Sequence, residues 1–469
     1  VARIAPGSTV FCGGFGLAGV PFSLLKAVMR NPLIRDLNIV SNTAGTEHHG
    51  LSLLLQSGQV RKMTCSYVGE NRLFERQYLE GRLEVELVPQ GTLAESIRCG
   101  GVGIDVFSTP TGVGTLVEKG GFVQKYSSAG VAEKFSAPKP TVVSPFTGRK
   151  LLLESALKGD VALVKALRAD ESGNLIFNKS AFNFNGDIAR ACKYVIAEVE
   201  ELVPNGSMDS NFVHMPGLFV DAVVLSEETE KPLEKVVNTR TLEEARKRNS
   251  EKDRKRMRIA RRAAKDIFDG AALNLGIGIP TLIPFFTRRG LDMNIHAENG
   301  ILGVAGYPEE GQEDPDLINP GKETITVKDT ASFFSSADSF GIVRGGHLDF
   351  TYLGAMEVDQ LGNLANWVIP GKFLKGMGGA MDLVASGSRV TVLTEHVAKN
   401  GSSKLKKACA LPLTGEGCVS RIITELAVFE VLPEQKGLLL TELAEETTLA
   451  HVINSTECEF SVSPTLLRF

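Results

Sequence analysis

Short apolar runs rich in β-branched residues recur along the chain and alternate with stretches of helical pattern. The clearest runs lie at residues 37–40, 83–87, 161–166, 194–197, 324–327 and 390–393. This alternation predicts an α/β fold, with mostly parallel sheets covered by helices. In open sheets of this class, ligands bind in the loops at the carboxyl ends of the strands. We therefore look for chemistry in the loops that follow these runs.

The two halves of the chain echo each other in order. In each half a polar turn leads into an apolar run, a glycine loop follows, and a proline then opens a helix. The first copy spans residues 6–21 and the second spans residues 269–280. Later, residues 97–101 resemble residues 343–346, and an aspartate follows soon after each. The shared order predicts two related α/β domains.

Residues 226–249 differ from the rest of the chain, because they are highly charged and nearly free of large apolar side chains. We predict that this segment is a solvated linker between one domain at 1–225 and another at 250–469. The basic run that follows could be read as a nucleic-acid patch. Its apolar residues fall at helical spacing, so we instead interpret the charged residues as the solvent-exposed face of the helix that opens the second domain. An i,i+4 pair of Glu251 and Lys255 would support this helix.

Composition narrows the class of protein. The chain has 469 residues, of which 43% are apolar and 23% charged, with a formal net charge of −4. The mildly acidic balance argues against nucleic acid as a partner, since phosphate binding needs a clustered basic field. No apolar run approaches the ~18 residues of a membrane span, so we expect no membrane partner. The cysteines are scattered without a C-x-x-C pair, which predicts reduced thiols.

The loop Gly14-x-Gly16-x-x-Gly19 fits a dinucleotide-binding fingerprint, since it lies after an apolar run and before a predicted helix. Such a site also needs an acidic residue at the end of the next strand to bind the ribose hydroxyls. The next run ends in Ser-Asn-Thr at residues 41–43 instead, so we disfavour a nicotinamide site. We expect these glycines to let the backbone approach a ligand, or to let two domains approach each other.

Several catalytic signatures are absent from the sequence. There is no Walker A sequence, which disfavours a ligase that activates its acid with ATP, and there is no H-E-x-x-H or G-x-S-x-G motif. Six histidines lack the spacing of metal ligands, so we expect no metal site. They are His48, His49, His214, His347, His396 and His451.

A single acid stands between two apolar runs, at residues 294–296 and 301–304. This acid is Glu298, and Asn299 and Gly300 follow it. An acid in such a place more often caps a turn or pairs with a base. It also has what a carboxylate nucleophile requires, since partial desolvation raises reactivity and a neighbouring glycine admits a bulky thioester. The residues alone leave both interpretations open.

Several separated segments resemble the signatures of the family I coenzyme A transferases. They lie at residues 10–21, 89–95, 109–112, 274–280, 298–300, 354–356 and 376–382. The resemblance covers essentially the whole chain and favours Glu298 as the nucleophile. It implies two related open α/β domains with mostly parallel sheets, joined by the charged linker. The first would be similar to an α-subunit, and the second, which carries Glu298, to a β-subunit.

Two positions depart from the family pattern. The family usually has a serine before the catalytic glutamate, whereas this chain has Ala297. The animal enzymes tend to carry two asparagines after Ser41, whereas this chain has Asn42 and Thr43. The missing hydroxyl puts the reaction rate in question, and Thr43 puts the acid preference in question.

The resemblance implies ping-pong transfer of coenzyme A (CoA) from succinyl-CoA to a 3-oxo acid such as acetoacetate, as in ketone body use. Glu298 would form a glutamyl-CoA thioester, so CoA would be a substrate and transient adduct, and no cofactor is expected. An acyl-CoA hydrolase, a transferase for other short-chain acids and a non-catalytic binding module stay open as alternatives. By resemblance we also expect a homodimer in the mitochondrial matrix.

The resemblance also implies roles for residues around Glu298. Those expected at the oxyanion or at the substrate acid are Gln90, Asn274, Gly379 and Asn42. Those expected to bind CoA are Gly276, Gly278, Asn299, Gly300, Lys322 and Gly378. Each attack on a thioester builds negative charge on oxygen, so the first group should supply preorganised donors.

Overall fold

Two large sheets, one in each half of the chain, form the framework of the molecule. The structure is a computed structural model that describes residues 1–228, 230–248, 250–371, 373–432 and 437–469. Helices pack on these sheets, and a charged segment joins the halves. Within the described ranges, no helix combines the length and the apolar character that crossing a bilayer requires.

The N-terminal half alternates strands with helices, as its sequence pattern predicts. Its strands are β1 (Thr9–Cys12), β2 (Leu37–Val40), β3 (Val60–Cys65), β4 (Glu84–Leu87), β5 (Val106–Thr109), β6 (Val123–Tyr126), β7 (Ala132–Phe135), β8 (Thr141–Val143), β9 (Lys150–Ser155), β10 (Gly159–Asp170), β11 (Leu175–Ile176), β12 (Cys192–Val203) and β13 (Ala222–Leu225). Its α-helices are α1 (Phe22–Met29), α2 (Ser52–Gln56), α3 (Arg72–Leu79), α4 (Gln90–Val102), α5 (Leu116–Lys119) and α6 (Asn185–Arg190).

The N-terminal sheet has the strand order β13-β12-β10-β1-β2-β3-β4, and all of these neighbours run parallel. The central strand β1 lies between β10 and β2. Phe11 of β1 and Leu163 of β10 are fully buried, because parallel sheets are covered on both faces. Strands β5–β9 form small antiparallel sheets outside this one.

The C-terminal half also contains helices and strands, and its large sheet combines parallel and antiparallel pairs. Its α-helices are α7 (Thr239–Arg248), α8 (Glu251–Ala264), α9 (Ser336–Arg344), α10 (Ala380–Ala385) and α11 (Leu449–Ser455). Its strands are β14 (Ala271–Leu275), β15 (Met293–Ala297), β16 (Ile301–Val304), β17 (Val327–Phe333), β18 (Phe350–Leu353), β19 (Glu357–Asp359), β20 (Leu364–Ala365), β21 (Val368–Ile369), β22 (Phe373–Leu374), β23 (Arg389–Leu393), β24 (Leu405–Lys406), β25 (Arg421–Ile423), β26 (Ala427–Leu432), β27 (Gly437–Leu443) and β28 (Phe460–Arg468).

The C-terminal sheet has the strand order β17-β16-β15-β14-β18-β23-β25-β26-β27-β28. Its centre, β15-β14-β18-β23-β25, is parallel. The pairs β15–β16, β16–β17, β25–β26 and β26–β27 are antiparallel. The predicted α/β class, with mostly parallel sheets, is confirmed.

The two sheets share a strand order at their centres. The order β13-β12-β10-β1-β2 in the first sheet matches β25-β23-β18-β14-β15 in the second. The central strands β1 and β14 are each followed by one of the glycine loops noted in the sequence. The echo between the halves therefore reflects two copies of one arrangement of strands.

Two elements differ from the prediction. The strand predicted at 324–327 begins only at Val327, because the backbone N–H of Thr324 donates to a carbonyl of the joining segment, at 3.2 Å. Pro280 opens a short 3₁₀ helix, Pro280–Phe286, rather than an α-helix. Pro284 lies inside this segment and has no N–H to donate, which disfavours a regular α-helix.

Within the charged segment 226–249, the described residues make contacts with both halves. Lys231 forms ion pairs with Glu200 of the N-terminal half and with Asp316 of the C-terminal half. Its later residues form α7, and α8 follows with the expected Glu251–Lys255 pair at 3.3 Å. The joining segment is thus held in a defined place.

The halves meet through buried apolar clusters that contain residues of both. Leu93 and Ile97 of α4 belong to the same buried cluster as Phe340 of α9 and Leu383 of α10. Helix α4 packs on both α9 and α10. This packing brings the first turns of α4 and α10, which come from different halves, to one place.

Candidate active site

Glu298 stands at the tip of a tight hairpin between β15 and β16. Ala297 pairs with Ile301, and the N–H of Gly300 donates to the carbonyl of Ala297 at 3.0 Å. Gly300 has φ +101°, and a Cβ there would lie 2.2 Å from the carbonyl oxygen of Phe334. Glycine is therefore required at this turn, which presents Glu298 at the carboxyl end of β15.

A cavity of about 350 Å³ lies in front of Glu298, between the two halves. The N-terminal half contributes Tyr67 and Gln90 to its wall, and the other lining residues come from the C-terminal half. Seven residues of the predicted site line this cavity: Glu298, Gln90, Asn274, Gly276, Lys322, Gly378 and Gly379. The fold thus assembles most of the predicted site from distant parts of the sequence.

The backbone N–H of Gly379 donates a hydrogen bond to the Glu298 carboxylate. A Cβ at residue 379 would lie 2.2 Å from Glu298 Oε2, so a larger residue would push the carboxylate away. The preceding carbonyl, that of Gly378, accepts the N–H of Gln90 at 2.9 Å. These contacts bring Gln90, from the other half, alongside Gly378 and Gly379.

Burial raises the pKa of Glu298 to about 7. The charge of Lys322 lowers this pKa, the Asp382 carboxylate raises it, and the Gly379 N–H lowers it. Glu298 is therefore a more basic carboxylate than usual that still ionises near neutrality. That combination suits an oxygen nucleophile.

Lys322 is held beside Glu298 by aromatic rings of the N-terminal half. Its Nζ lies 4.3 Å from the ring centre of Phe15 and 4.7 Å from that of Tyr67, and donates to the Pro320 carbonyl at 3.0 Å. Lys322 has φ +66°, which is rare for a non-glycine residue. Burial lowers the pKa of this lysine, whereas the charges of nearby glutamates oppose that effect.

A family model described as "Coenzyme A transferase" matches residues 1–226 and 256–455. The chain belongs to the coenzyme A transferase family.

Individual relatives agree with this assignment. A human protein named succinyl-CoA:3-ketoacid coenzyme A transferase 2, mitochondrial, is 48% identical over 467 residues, covering 99% of this chain and 89% of the human protein. A Bacillus subtilis protein, named as one of the subunits of a probable enzyme of the same name, is 52% identical over 212 residues, covering 45% of this chain and 97% of its own length. One half of this transferase thus corresponds to a separate chain there.

Among solved structures, an acyl-CoA transferase from Escherichia coli O157:H7, crystallised as a thioester complex with CoA, shares the fold. The TM-score is 0.77 at 22% identity, covering 100% of this chain and 93% of the other. This likeness confirms the predicted fold class.

Asn274 of the transferase is oriented by a buried histidine. Its Nδ2 lies 3.2 Å from Nδ1 of His296, and Nε2 of His296 lies 2.9 Å from Oγ of Ser339. Burial lowers the pKa of His296 to about 4, so the ring is neutral at physiological pH. Nδ1 then accepts from the Asn274 amide while Nε2–H donates to Ser339. Sequence reasoning missed both partners, although His296 lies two residues before Glu298.

Four residues of the predicted site do not line the cavity. Asn42 is buried, and its Oδ1 accepts from the Ser66 hydroxyl at 2.6 Å, just before Tyr67. Asn299 donates to the Ile318 carbonyl at 2.7 Å. The other two are Gly278 and Gly300. Asn42 and Asn299 therefore lie behind the residues that line the cavity and do not face it.

The glycine loop after β1 is occupied by protein atoms. A Cβ at Gly13 would lie 1.8 Å from Oδ1 of Asn185, and one at Gly16 would lie 2.8 Å from Cγ of Lys322. The Gly14 N–H donates to Oδ1 of Asn183 at 3.2 Å. Protein atoms therefore fill the space that a dinucleotide would need at this loop. The loop instead lets the two halves approach each other, which is one of the two roles that we predicted for its glycines.

A second cavity of about 350 Å³ adjoins the first, and the two share Leu275, Ile277 and Pro320. Its wall is largely apolar and includes Phe285 and Tyr307, whose rings stack with centres 6.2 Å apart. Helix α7 of the joining segment closes one side. No pattern in the sequence indicated that this charged segment would form the wall of a cavity.

Proposed function

We propose that this protein transfers CoA from succinyl-CoA to a 3-oxo acid such as acetoacetate, with Glu298 as the covalent nucleophile. The observation that carries the proposal is the Glu298 carboxylate, hydrogen-bonded to the Gly379 N–H and beside Lys322 in a cavity between the halves. Relatives named for this reaction, including the human protein at 48% identity over 99% of this chain, support the choice of substrates.

The first half-reaction begins with attack of a Glu298 oxygen on the thioester carbonyl of succinyl-CoA. A C–O bond forms and the C–S bond breaks, which gives a mixed anhydride and the CoA thiolate. The thiolate then attacks the glutamyl carbonyl, a C–S bond forms, and the anhydride C–O bond breaks. Succinate leaves with the electron pair, and CoA stays on Glu298 as a thioester.

The second half-reaction reverses these steps with a different acid. The carboxylate of the 3-oxo acid attacks the glutamyl thioester and expels the CoA thiolate, and the thiolate then attacks the acyl carbonyl of the new anhydride. The product is the 3-oxoacyl-CoA, and the Glu298 carboxylate is restored. One activated acyl group is exchanged for another, so the cycle consumes no ATP and needs no redox cofactor or metal.

Each attack builds negative charge on a carbonyl oxygen. The Gly379 N–H is one donor for that charge, and the Gln90 amide is another, because its Nε2 is buried and has no hydrogen-bond partner among the described residues. Losing one such donor typically costs ~10²–10³ in rate. Lys322 supplies a positive charge in the wall of the same cavity, where low polarity strengthens its effect.

The second cavity suits the long arm of CoA. It is largely apolar, and it meets the catalytic cavity at Leu275 and Ile277, so a chain lying in it would reach Glu298. Gly276 and Gly278 flank Ile277 in the loop after β14, and Asn299 and Gly300 form the hairpin turn that presents Glu298. Binding of this remote part accelerates the reaction only if its energy is used in the transition state.

The proposed compartment rests on the name of the human relative, and the proposed assembly rests only on the resemblance to the family. The human relative is named mitochondrial, and we place this protein in mitochondria, in the matrix. We also propose a homodimer, which light scattering after size-exclusion chromatography would test directly.

A panel of acceptor acids with succinyl-CoA as the donor tests the proposed reaction. We expect acetoacetate to give acetoacetyl-CoA and succinate in equal amounts, and peptide mass analysis of protein treated with succinyl-CoA alone to show CoA on Glu298. Release of free CoA that does not depend on the acceptor would mean a hydrolase. Binding without an adduct or turnover would mean a binding module, and preference for another acid would revise the substrate.

A further inference from the structure

Asp382 is a fully buried carboxylate that binds across the contact between the halves. It lies in the first turn of α10, three residues after Gly379. Its Oδ2 accepts the backbone N–H of Gly91 at 2.8 Å, and its Oδ1 accepts the hydroxyl of Thr111 at 3.0 Å. Both donors belong to the N-terminal half, whereas Asp382 belongs to the C-terminal half.

The first of these hydrogen bonds acts on the start of α4, which carries Gln90. The Gln90 N–H donates to the Gly378 carbonyl at 2.9 Å, and the next N–H, of Gly91, donates to Asp382. Arg344 of α9 donates to the Gly91 carbonyl at 3.2 Å. A Cβ at Gly91 would lie 2.4 Å from Asp382 Oδ1, so the contact is close as well as polar.

We propose that Asp382 is a positioning residue for transfer, whose carboxylate fixes Gln90 of one half against Gly379 and Glu298 of the other. The inference rests on the proposed function, in which Gln90 and Gly379 both stabilise the oxyanion. Gln90 and Gly379 come from different halves, so their relative position depends on contacts between the halves. The hydrogen bond from the Gly91 N–H to the Asp382 carboxylate joins the first turn of α4 to that of α10, and the Thr111 hydroxyl holds the same carboxylate.

The charge of Asp382 has a second effect. Arg344 is the cation that faces this carboxylate, and Glu298 lies close enough that Asp382 raises its pKa. The groups that face Glu298 itself are Lys322, Asp382, the Gly379 N–H and, from the N-terminal half, Tyr67. Removing the charge of Asp382 should therefore lower the pKa of Glu298, which an uncharged structural contact would not do.

Two variants distinguish the positioning role of Asp382 from the effect of its negative charge on Glu298. Asp382→Asn keeps the shape but loses the charge, and its amide cannot accept at both positions. Thr111→Val keeps the Asp382 charge and removes the hydroxyl that donates to Asp382 and accepts from Thr109. The matched control is Asp338→Asn, which changes an exposed aspartate in the first turn of α9 that bonds Ser335 just before its own helix.

We expect Asp382→Asn to lower kcat by about 10- to 100-fold, since a displacement of about 1 Å at a catalytic group can cost ~10². The KM for succinyl-CoA should change little, and the acid limb of kcat/KM should move to lower pH. Thr111→Val should lower kcat several-fold and leave the acid limb in place. Asp338→Asn should match the parent in both.

The proposal is overturned if a folded Asp382→Asn protein keeps the parent kcat, or loses rate with no movement of the acid limb. Should Asp382→Asn fail to fold, Thr111→Val decides, and an unchanged kcat in that variant rejects the positioning role. On long incubation with succinyl-CoA, Asp382→Asn should still acquire CoA on Glu298. Absence of that adduct in the parent protein as well would instead reject the proposed function.

Discussion

The Gly379 N–H donates to the carboxylate of Glu298, and a side chain larger than glycine at residue 379 would displace that carboxylate. A Cβ there would lie 2.2 Å from Glu298 Oε2. The donor and the nucleophile are therefore in contact before any substrate arrives. A donor placed in advance does not have to reorganise when charge develops in the transition state.

Substituting Gly379 with alanine should displace the nucleophile. We expect Gly379→Ala to lower kcat by about 10²–10³, the usual cost of losing one oxyanion donor. The matched control is Gly341→Ala in α9, where a Cβ would meet no atom within 4 Å. Steady-state kinetics on both variants checks this, and parent-like turnover in Gly379→Ala would show that the close contact is not needed.

Removing the carboxylate should stop exchange while the protein stays folded. Glu298 lies in a hairpin turn beside a cavity, so Glu298→Ala creates little new void. We expect no detectable exchange, CoA binding close to that of the parent by calorimetry, and a similar unfolding temperature. A folded Glu298→Ala protein that still transfers CoA would reject Glu298 as the nucleophile.

The pH profile should report the ionisation of Glu298. Its pKa is raised to about 7 by burial, and only the ionised form attacks. In the free enzyme kcat/KM should therefore fall as the pH drops below about 7, approaching a tenfold loss per pH unit. Lys322 lowers this pKa, so Lys322→Gln should move the acid limb to higher pH as well as slowing the reaction. A limb that stays in place in Lys322→Gln would contradict the electrostatic role of the lysine.

Restoring the family serine should have only a small effect. Ala297 is 2% exposed in a small apolar cluster with Ile301 and Ile325, and it faces the second cavity. One hydrogen bond is worth ~0.5–1.5 kcal/mol, or up to ~3 with a charged partner. We expect Ala297→Ser to change kcat/KM by less than about tenfold, measured with the same two substrates. A change of a hundredfold or more would mean that residue 297 controls the nucleophile.

The sequence by itself determined the class of fold, and its resemblance to the family made Glu298 the candidate nucleophile. Short apolar runs alternating with helical patterns specify parallel strands because the spacing of buried side chains is a local property. Glu298 was singled out by the resemblance of several separated segments to the family, since the residues around it alone left two interpretations open. The strand at 324–327 was misplaced because Thr324 bonds to the distant joining segment, which no local pattern reveals.

Only the tertiary structure decided the surroundings of Glu298. Lys322 had been expected to bind CoA, and the packing of Phe15 and Tyr67 around it places its charge beside the nucleophile. Asp382 reaches Gly91 across 291 positions of sequence. These contacts depend on how the two sheets and their helices pack against each other. A local pattern fixes which strands form, whereas the pKa of a buried acid depends on every charge that docking brings near it.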